Sequence, residues 1–235
     1  MKIAVLIAST SKNTDWVSVE DSLFVKRTIP SILSVASPDI EYKFFIGHDD
    51  DDQFFLKNDF SKVLESIDYE IVSVPNPIHK PCPVWNNLVE EAYSQGFEYF
   101  LQSGDDIEYT SPFDVEFISY LESIDNIGVI GGMAPYCPLI ITQSFIHKTH
   151  MDIFGFLYPP ELPDWSSDAW ITFTYQKFKR SKISELHKIK NTRIAVPGAD
   201  YQKNRYDVSP DHQGKLNQSR RLYNPVLQKY LDENG

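Results

Sequence analysis

The sequence predicts an α/β fold: a central mixed sheet flanked by helices. Three observations predict it. Ile3 to Ile7 is an unbroken apolar run rich in β-branched residues, the pattern of a parallel strand buried on both faces. Strand-like and helix-like segments then alternate as far as Ile130, the rhythm of an α/β sheet. Two of the strand-like runs end in carboxylates, at Asp49 to Asp52 and at Asp105-Asp106.

After the first strand, Val25, Ile29, Ile32, Leu33 and Ala36 fall at helical spacing. Pro30 lies within this pattern and either opens the helix or kinks it. Tyr42 to Ile46 reads as the second strand, Phe60 to Ile67 as a short helix and Glu70 to Val74 as a strand. Pro75 to Pro83 reads as a proline-broken loop. Trp85, Leu88, Val89 and Ala92 mark an amphipathic helix that stops near Gly96. Glu98 to Gln102 is a buried strand that runs into Ser103-Gly104-Asp105-Asp106-Ile107-Glu108.

Phe117, Leu121 and Ile124 predict a helix, and Ile127 to Ile130 a strand. Beyond Leu139 the rhythm weakens. A strand is expected over Ile140 to Phe145, a helix with Thr149 as N-cap, a loop with Pro159, Pro160 and Pro163, and a helix from Asp168 to Phe178. The segment after Gln202 reads as a polar tail wrapping the domain. With no repeat and no clear linker, one domain over 1–235 is expected.

The chain has 22 Lys plus Arg against 33 Asp plus Glu, a formal charge of −11. A surface this acidic argues against a general nucleic-acid binder, which needs a basic stripe. Cys82 and Cys137 are too few for a disulfide framework, and neither sits in a CxxC zinc pattern. No apolar run approaches a membrane span. The expectation is a soluble, cytoplasmic protein without membrane insertion.

In open α/β sheets ligands collect beyond the carboxyl ends of the strands. Carboxylates crowded there repel one another unless a cation or a donor neutralises them. A hard divalent ion with oxygen ligands, Mn2+ or Mg2+, would do so. The plainer reading of Asp49 to Asp52 is a solvated acidic turn.

The block from Val84-Trp85-Asn86-Asn87 through Gly104-Asp105-Asp106-Ile107-Glu108 resembles the GT-A glycosyltransferases. So do Thr142 to His150 and Asp164-Trp165-Ser166-Ser167-Asp168-Ala169-Trp170. The chain is similar to GT2-like enzymes and to small glycosyltransferase domains of large algal viruses. The resemblance implies a Rossmann-like nucleotide-binding half over about 1–108, and an acceptor-side half with a C-terminal tail over about 109–235. It implies transfer of a sugar from a nucleoside diphosphate, a UDP-sugar, to a carbohydrate acceptor.

By the same resemblance, Ala8, Ser9 and Thr10 line the nucleotide, and Asp49 or Asp50 reads the uracil edge. Asp51 and Asp52 are then expected to be dispensable, because alternate positions of an extended segment point apart. Aligning the apolar strand puts Gly104 at the first position of the family's DxD motif. Asp106 becomes the metal ligand, and Asp105 touches ribose or a metal-bound water. His212 matches a late histidine used as a third metal ligand in several such families; His150 is a lesser candidate. Lys80, Arg205, Arg220 and Arg221 are candidates for the diphosphate.

Asp168 matches the family's base position, and Asp164 is a weaker candidate. The plainer reading of Asp168 is a helix N-terminal acid favoured by the macrodipole; as a base, it is expected to be kept ionised, with a low pKa, by the helix N-terminal amides. Trp165 and Trp170 suit stacking on a sugar, although either also suits a core. Two rivals stand beside this reading. A sugar nucleotidyltransferase would need a Gly-rich basic loop after the first strand, where Ala8-Ser9-Thr10-Ser11-Lys12-Asn13 has no glycine. A catalytically inactive GT-A domain binding glycan or a partner is favoured by Gly104.

Overall fold

The computed structural model describes residues 1–192 and 210–234. Its strands are β1 (Lys2–Ala8), β2 (Glu41–Asp49), β3 (Tyr69–Val74), β4 (Tyr99–Gly104), β5 (Ile107–Tyr109), β6 (Val129–Met133), β7 (Phe145–His147) and β8 (Ser181–Asn191). The helices are α1 (Ile29–Val35), α2 (Gln53–Lys57), α3 (Pro81–Ser94), α4 (Asp114–Glu122), α5 (Thr149–Phe154), α6 (Ser167–Gln176) and α7 (His212–Asn234). Among the described residues, the strands form one mixed sheet in the order β3-β2-β1-β4-β7-β6-β8-β5.

The first four strands are parallel, with Ala8 level with Gly47 on one side and Gly104 on the other. β7 runs antiparallel to β4 and β6, and β8 runs parallel to β6. The carboxyl ends of β1, β2, β3, β4, β6 and β8 therefore share one edge of the sheet. β1 is buried on both faces. Ala4 and Leu6 join a core under α3, α5, α6 and α7, whereas Ile3, Val5 and Ile7 join a second core under α1, α4 and Phe55. Truncating any of these buried leucines or isoleucines to alanine costs about 2–5 kcal/mol. α3 lies so close to β2 that a Cβ on Gly47 would meet Val84 at 2.5 Å.

Several elements differ from the sequence reading. Phe60 to Ile67 forms successive turns instead of a helix, although Phe60 and Leu64 are buried as a helical pattern implies. Asp59 holds this local turn by accepting from the Ser61 backbone and hydroxyl. Pro81 and Pro83 belong to the first turn of α3, where a missing N–H costs nothing. Pro30 similarly sits in the first turn of α1, behind a π-helical turn over Phe24–Thr28.

The strand expected over Ile140 to Phe145 is confined to Phe145–His147. The Ile141 N–H bonds the Thr172 hydroxyl in α6 and does not join the ladder. Thr149 opens α5 as its first helical residue, with Lys148 as the cap. Part of the expected tail, from His212 on, is the long helix α7, carrying Pro225 inside it and packing on α5 and α6. Residues 202–209 of that tail lie outside the described residues. No described helix is long and apolar enough to cross a membrane.

Candidate functional site

The chain leaves β1 toward β2 and β3 on one side, then returns to place β4 on the other. The crevice between β1 and β4 is thus the switch point, where α/β sheets bind ligands. Ser9 sits at its floor. Its N–H donates to Gly47 O at 2.9 Å, and its hydroxyl donates to Asp105 Oδ2 at 2.6 Å. Ala8, Ser9, Thr10, Asp49, Asp105 and Asp106 are thereby gathered at one sheet edge, from three neighbouring strands.

Beyond β1 and β2 lies a polar cleft of about 340 Å³, lined by Thr10, Ser11, Lys12, Asp49, Asp51, Asp52, Gln53 and His79. Asp52 organises it, contrary to its expected dispensability. It caps α2 by accepting from Phe54 N at 3.1 Å. It also accepts from Ser11 N at 2.8 Å, Ser11 Oγ at 2.6 Å and Thr10 Oγ1 at 3.1 Å. The alternation argument fails because β2 ends at Asp49, so Asp52 lies beyond the extended segment.

Asp49 is buried, while Asp50 is exposed with its N–H on Val74 O at 3.0 Å. Asn76 Nδ2 donates to Asp49 Oδ1 at 2.6 Å, and the His79 Nδ1 lies 3.0 Å from Oδ2. The other nitrogen of His79 is 3.7 Å from Asp51. Asp49, Asp51 and His79 offer ligand atoms within 4.8 Å of one another. Sequence reading missed Asn76, His79 and the capping role of Asp52. An Asp directly before an apolar helical turn is a cap signal that was available for the last.

On the other side of the crevice, Asp105 is buried and Asp106 partly so. The Asp106 carbonyl accepts from Thr192 N at 2.8 Å and Thr192 Oγ1 at 3.0 Å, which ties the end of β8 to this turn. Gly104 donates its N–H to Gln143 Oε1 at 2.8 Å. A Cβ at Gly104 would lie 2.9 Å from Asp106 Oδ1, so the glycine leaves this carboxylate its room. Glu108 pairs with Arg27 at 3.0 Å and Lys190 at 3.2 Å.

Asp168 lies in the first turn of α6, as expected, and Ala169 N donates to it at 2.7 Å. Its pKa runs opposite to the expectation: burial pushes it above the ordinary carboxylate value, outweighing the backbone donor. The reason is its setting. Asp168 acts electrostatically on Tyr136, Cys137, Cys82 and Tyr158, so protein replaces much of its water. Tyr136 feels both Asp106 and Asp168.

Asp164 is fully buried and pairs with Lys80 at 3.3 Å; His212 Nδ1 lies 3.9 Å from it. Trp165 is 55% exposed beside the His212 ring, whereas Trp170 is fully buried. His150 is buried between the Tyr175 hydroxyl at 2.9 Å and Leu157 O at 3.1 Å. Arg220 lies over the Phe173 ring at 5.6 Å, and Arg221 is exposed on α7. Arg205 lies outside the described residues.

No protein-family model and no curated protein matches the sequence. Solved structures do. The S. aureus TarS 1-349 structure matches at a TM-score of 0.58 and 12% identity, covering 95% of this chain and 65% of that one. The same piece in complex with UDP-GlcNAc matches at a TM-score of 0.57 and 11% identity, over 95% of this chain and 66% of that one. The longer S. aureus TarS structure matches at a TM-score of 0.55 and 11% identity. There the alignment covers 94% of this chain and only 39% of the other. The likeness establishes the architecture: the chain has the mixed α/β fold of a GT-A-like glycosyltransferase domain.

Proposed function

We propose that the chain is a glycosyltransferase, moving a sugar from a UDP-sugar to a carbohydrate acceptor within a single domain. The observation that supports it most is the switch-point crevice. Ser9 and Asp105 meet there, with Asp106 next in the chain, at the same sheet edge as the polar cleft that Asp49 lines. A similar fold holds UDP-GlcNAc in the S. aureus TarS 1-349 structure.

In this reading Ala8 to Thr10 line the nucleotide, with Asp49 at the base and Asp105 at the ribose. Asp168 takes the proton from the acceptor hydroxyl. Its raised pKa suits that task, since a base works best with a pKa nearer the working pH. Asp106 is a hard oxygen donor, and the glycine at 104 leaves its carboxylate room, so it fits Mn2+ or Mg2+, with Asp105 at the ribose or a metal-bound water. Such an ion would neutralise charge on the leaving diphosphate. His212 is proposed as a further ligand from its chain position.

Calorimetric titration with UDP and UDP-GlcNAc, with and without Mn2+, tests this reading, together with a UDP-release assay over a glycan panel. Binding in the micromolar range with acceptor-dependent release supports it. Absence of nucleotide binding overturns it. Binding of UDP without any turnover would favour the second reading, an inactive nucleotide- or glycan-binding domain, which the Gly104 departure from DxD supports.

A further inference from the structure

Resting on the glycosyltransferase reading, we propose that Thr28 is a positioning residue for the Asp105-Asp106 turn. Its hydroxyl bridges the two ends of that turn and holds the Asp106 backbone so that the carboxylate stands ready for a divalent cation.

Thr28 is fully buried, at the end of the π-helical turn that precedes α1. Its hydroxyl donates to Gly104 O at 3.3 Å and accepts from Ile107 N at 3.2 Å. One side chain thus spans Gly104-Asp105-Asp106-Ile107, where β4 ends and β5 begins. Its neighbours grip the same stretch. Arg27 pairs with Glu108 at 3.0 Å. Ser31 Oγ accepts from Tyr109 N at 3.1 Å and donates to Thr28 O at 2.9 Å.

The Asp106 carbonyl is held from the end of β8, by Thr192 N at 2.8 Å and Thr192 Oγ1 at 3.0 Å. The peptide linking Asp106 to Ile107 is therefore fixed at both polar atoms, its oxygen by Thr192 and its N–H by Thr28. The helix that supplies Thr28 departs from regularity at this place. Ile29 N–H bonds Phe24 O, five residues back, which widens the turn. Phe24 stays packed on Phe55 and Phe60 while Thr28 meets the strand end. Such π turns recur at functional sites.

The chemistry accounts for a hydroxyl at a wholly buried position. Adjacent carboxylates repel and move apart unless something fixes them. Ser9 fixes the Asp105 side chain directly. For Asp106 the grip on the backbone leaves the carboxylate free to face an ion. A hard cation accepts its oxygen ligands only within a narrow range of distances, and a ligand on a fixed peptide binds without first being ordered. Valine has the shape of threonine but offers no hydrogen bond. In its place the buried Ile107 N–H would lose its partner.

The test compares the wild-type chain with Thr28→Val, Thr28→Ser and Ile32→Val. Ile32 is buried one turn further along and serves as the control for plain core damage. Mn2+ is titrated onto each by electron paramagnetic resonance, without nucleotide and with saturating UDP. Thr28→Val should weaken Mn2+ by about 10–100-fold, the usual effect of losing a group that orients a metal ligand. Exchange of the Ile107 amide, followed by NMR without ligands, should quicken at least about tenfold. Thr28→Ser should recover most of both. Ile32→Val should keep Mn2+ affinity within about twofold of wild type. UDP affinity without Mn2+ should fall less than about threefold in Thr28→Val, because Asp105 keeps its Ser9 bond.

Undiminished Mn2+ affinity in Thr28→Val overturns the proposal. So does an equal loss in Ile32→Val, or a wild type that takes up no Mn2+ in either condition. Thr192→Val strips the other side-chain grip on the same peptide and should also weaken Mn2+. It carries the test if Thr28→Val does not fold, and wild-type affinity there then overturns the proposal. Failure of UDP to bind defeats the donor reading separately, because the Mn2+ titration without nucleotide still ranks the variants.

Discussion

The Ser9 hydroxyl and the Asp105 carboxylate meet at 2.6 Å across the boundary between β1 and β4. Both residues are buried. A hydrogen bond to a buried charge is among the stronger ones, and this one spans the crevice at its floor. It locks the two strand ends together where the nucleotide is proposed to lie.

Ser9→Ala is therefore expected to lower stability by about 1.5–3 kcal/mol, the usual range for a bond to a charged group. Urea denaturation checks it, and the slope should stay unchanged. A loss under about 0.5 kcal/mol would show that Asp105 is held adequately by other groups.

Asp52→Ala removes an N-cap and the tether on Ser11 and Thr10 together. The expected cost is at least about 1–2 kcal/mol, with weaker UDP binding. Asp50→Ala, at an exposed position, should stay within about 0.5 kcal/mol of wild type. Equal effects in the two variants would remove the structural distinction between them.

Asp106→Asn should abolish any gain in UDP affinity on adding Mn2+ while the melting temperature of the apoprotein holds. Gly104→Ala should weaken the same gain, since its Cβ would crowd Asp106 Oδ1 at 2.9 Å. Full metal dependence in Asp106→Asn would move the ion elsewhere; the Asp49, Asp51 and His79 group is the next place to look.

Asp168→Asn should reduce turnover by about 10²–10⁴-fold. It should also stabilise the fold at neutral pH. The raised pKa means that the folded state holds its proton more tightly than the unfolded one. Stability therefore falls as pH rises through the window above 3.8, and an uncharged amide escapes that loss. In the wild type, the acidic limb of the kcat/KM profile should lie above the ordinary aspartate value. A variant that melts lower at pH 7 contradicts the burial account.

Burial depresses the His150 pKa from 6.5 to about 4. Between those values the unfolded chain binds a proton that the folded one refuses, so stability falls as the medium is acidified. The full loss is on the order of 3 kcal/mol. His147, also depressed by burial, adds in the same direction. His150→Gln should flatten the dependence of melting temperature on pH across this range, whatever it does at pH 7. An unaltered slope would assign the acid sensitivity to other groups.

β1 and β4 were legible because their burial is two-sided and nearly continuous. Ile3 to Ile7 has no polar residue to blur its ends, and Phe44 to Ile46 is a shorter apolar run before Gly47. β8 was not legible. Ser181–Asn191 mixes lysines, serines and one glutamate with isolated apolar residues, and although it lies between β6 and β5 in the sheet, both partners are far away in sequence. The acidic clusters at Asp49 and Asp105-Asp106 were found from their places at strand ends. Their partners were not, because Asn76 and His79 reach Asp49 only through the loop after β3. Asp168 was placed correctly at a helix start, but its pKa depends on what α6 packs against, and no local pattern carries that.

The order β3-β2-β1-β4 also bears on how the chain is made. β1 pairs with β2 on one side as soon as residue 49 has emerged, yet its other edge waits for Tyr99 to Gly104. During synthesis of residues 50–98, a strand that is apolar from Ile3 to Ala8 offers an open row of N–H and C=O groups. Such an edge is a template for pairing with another chain. A nascent chain stalled in that interval is thus expected to need shielding by a chaperone, and the crevice between β1 and β4 is born only when β4 closes the gap.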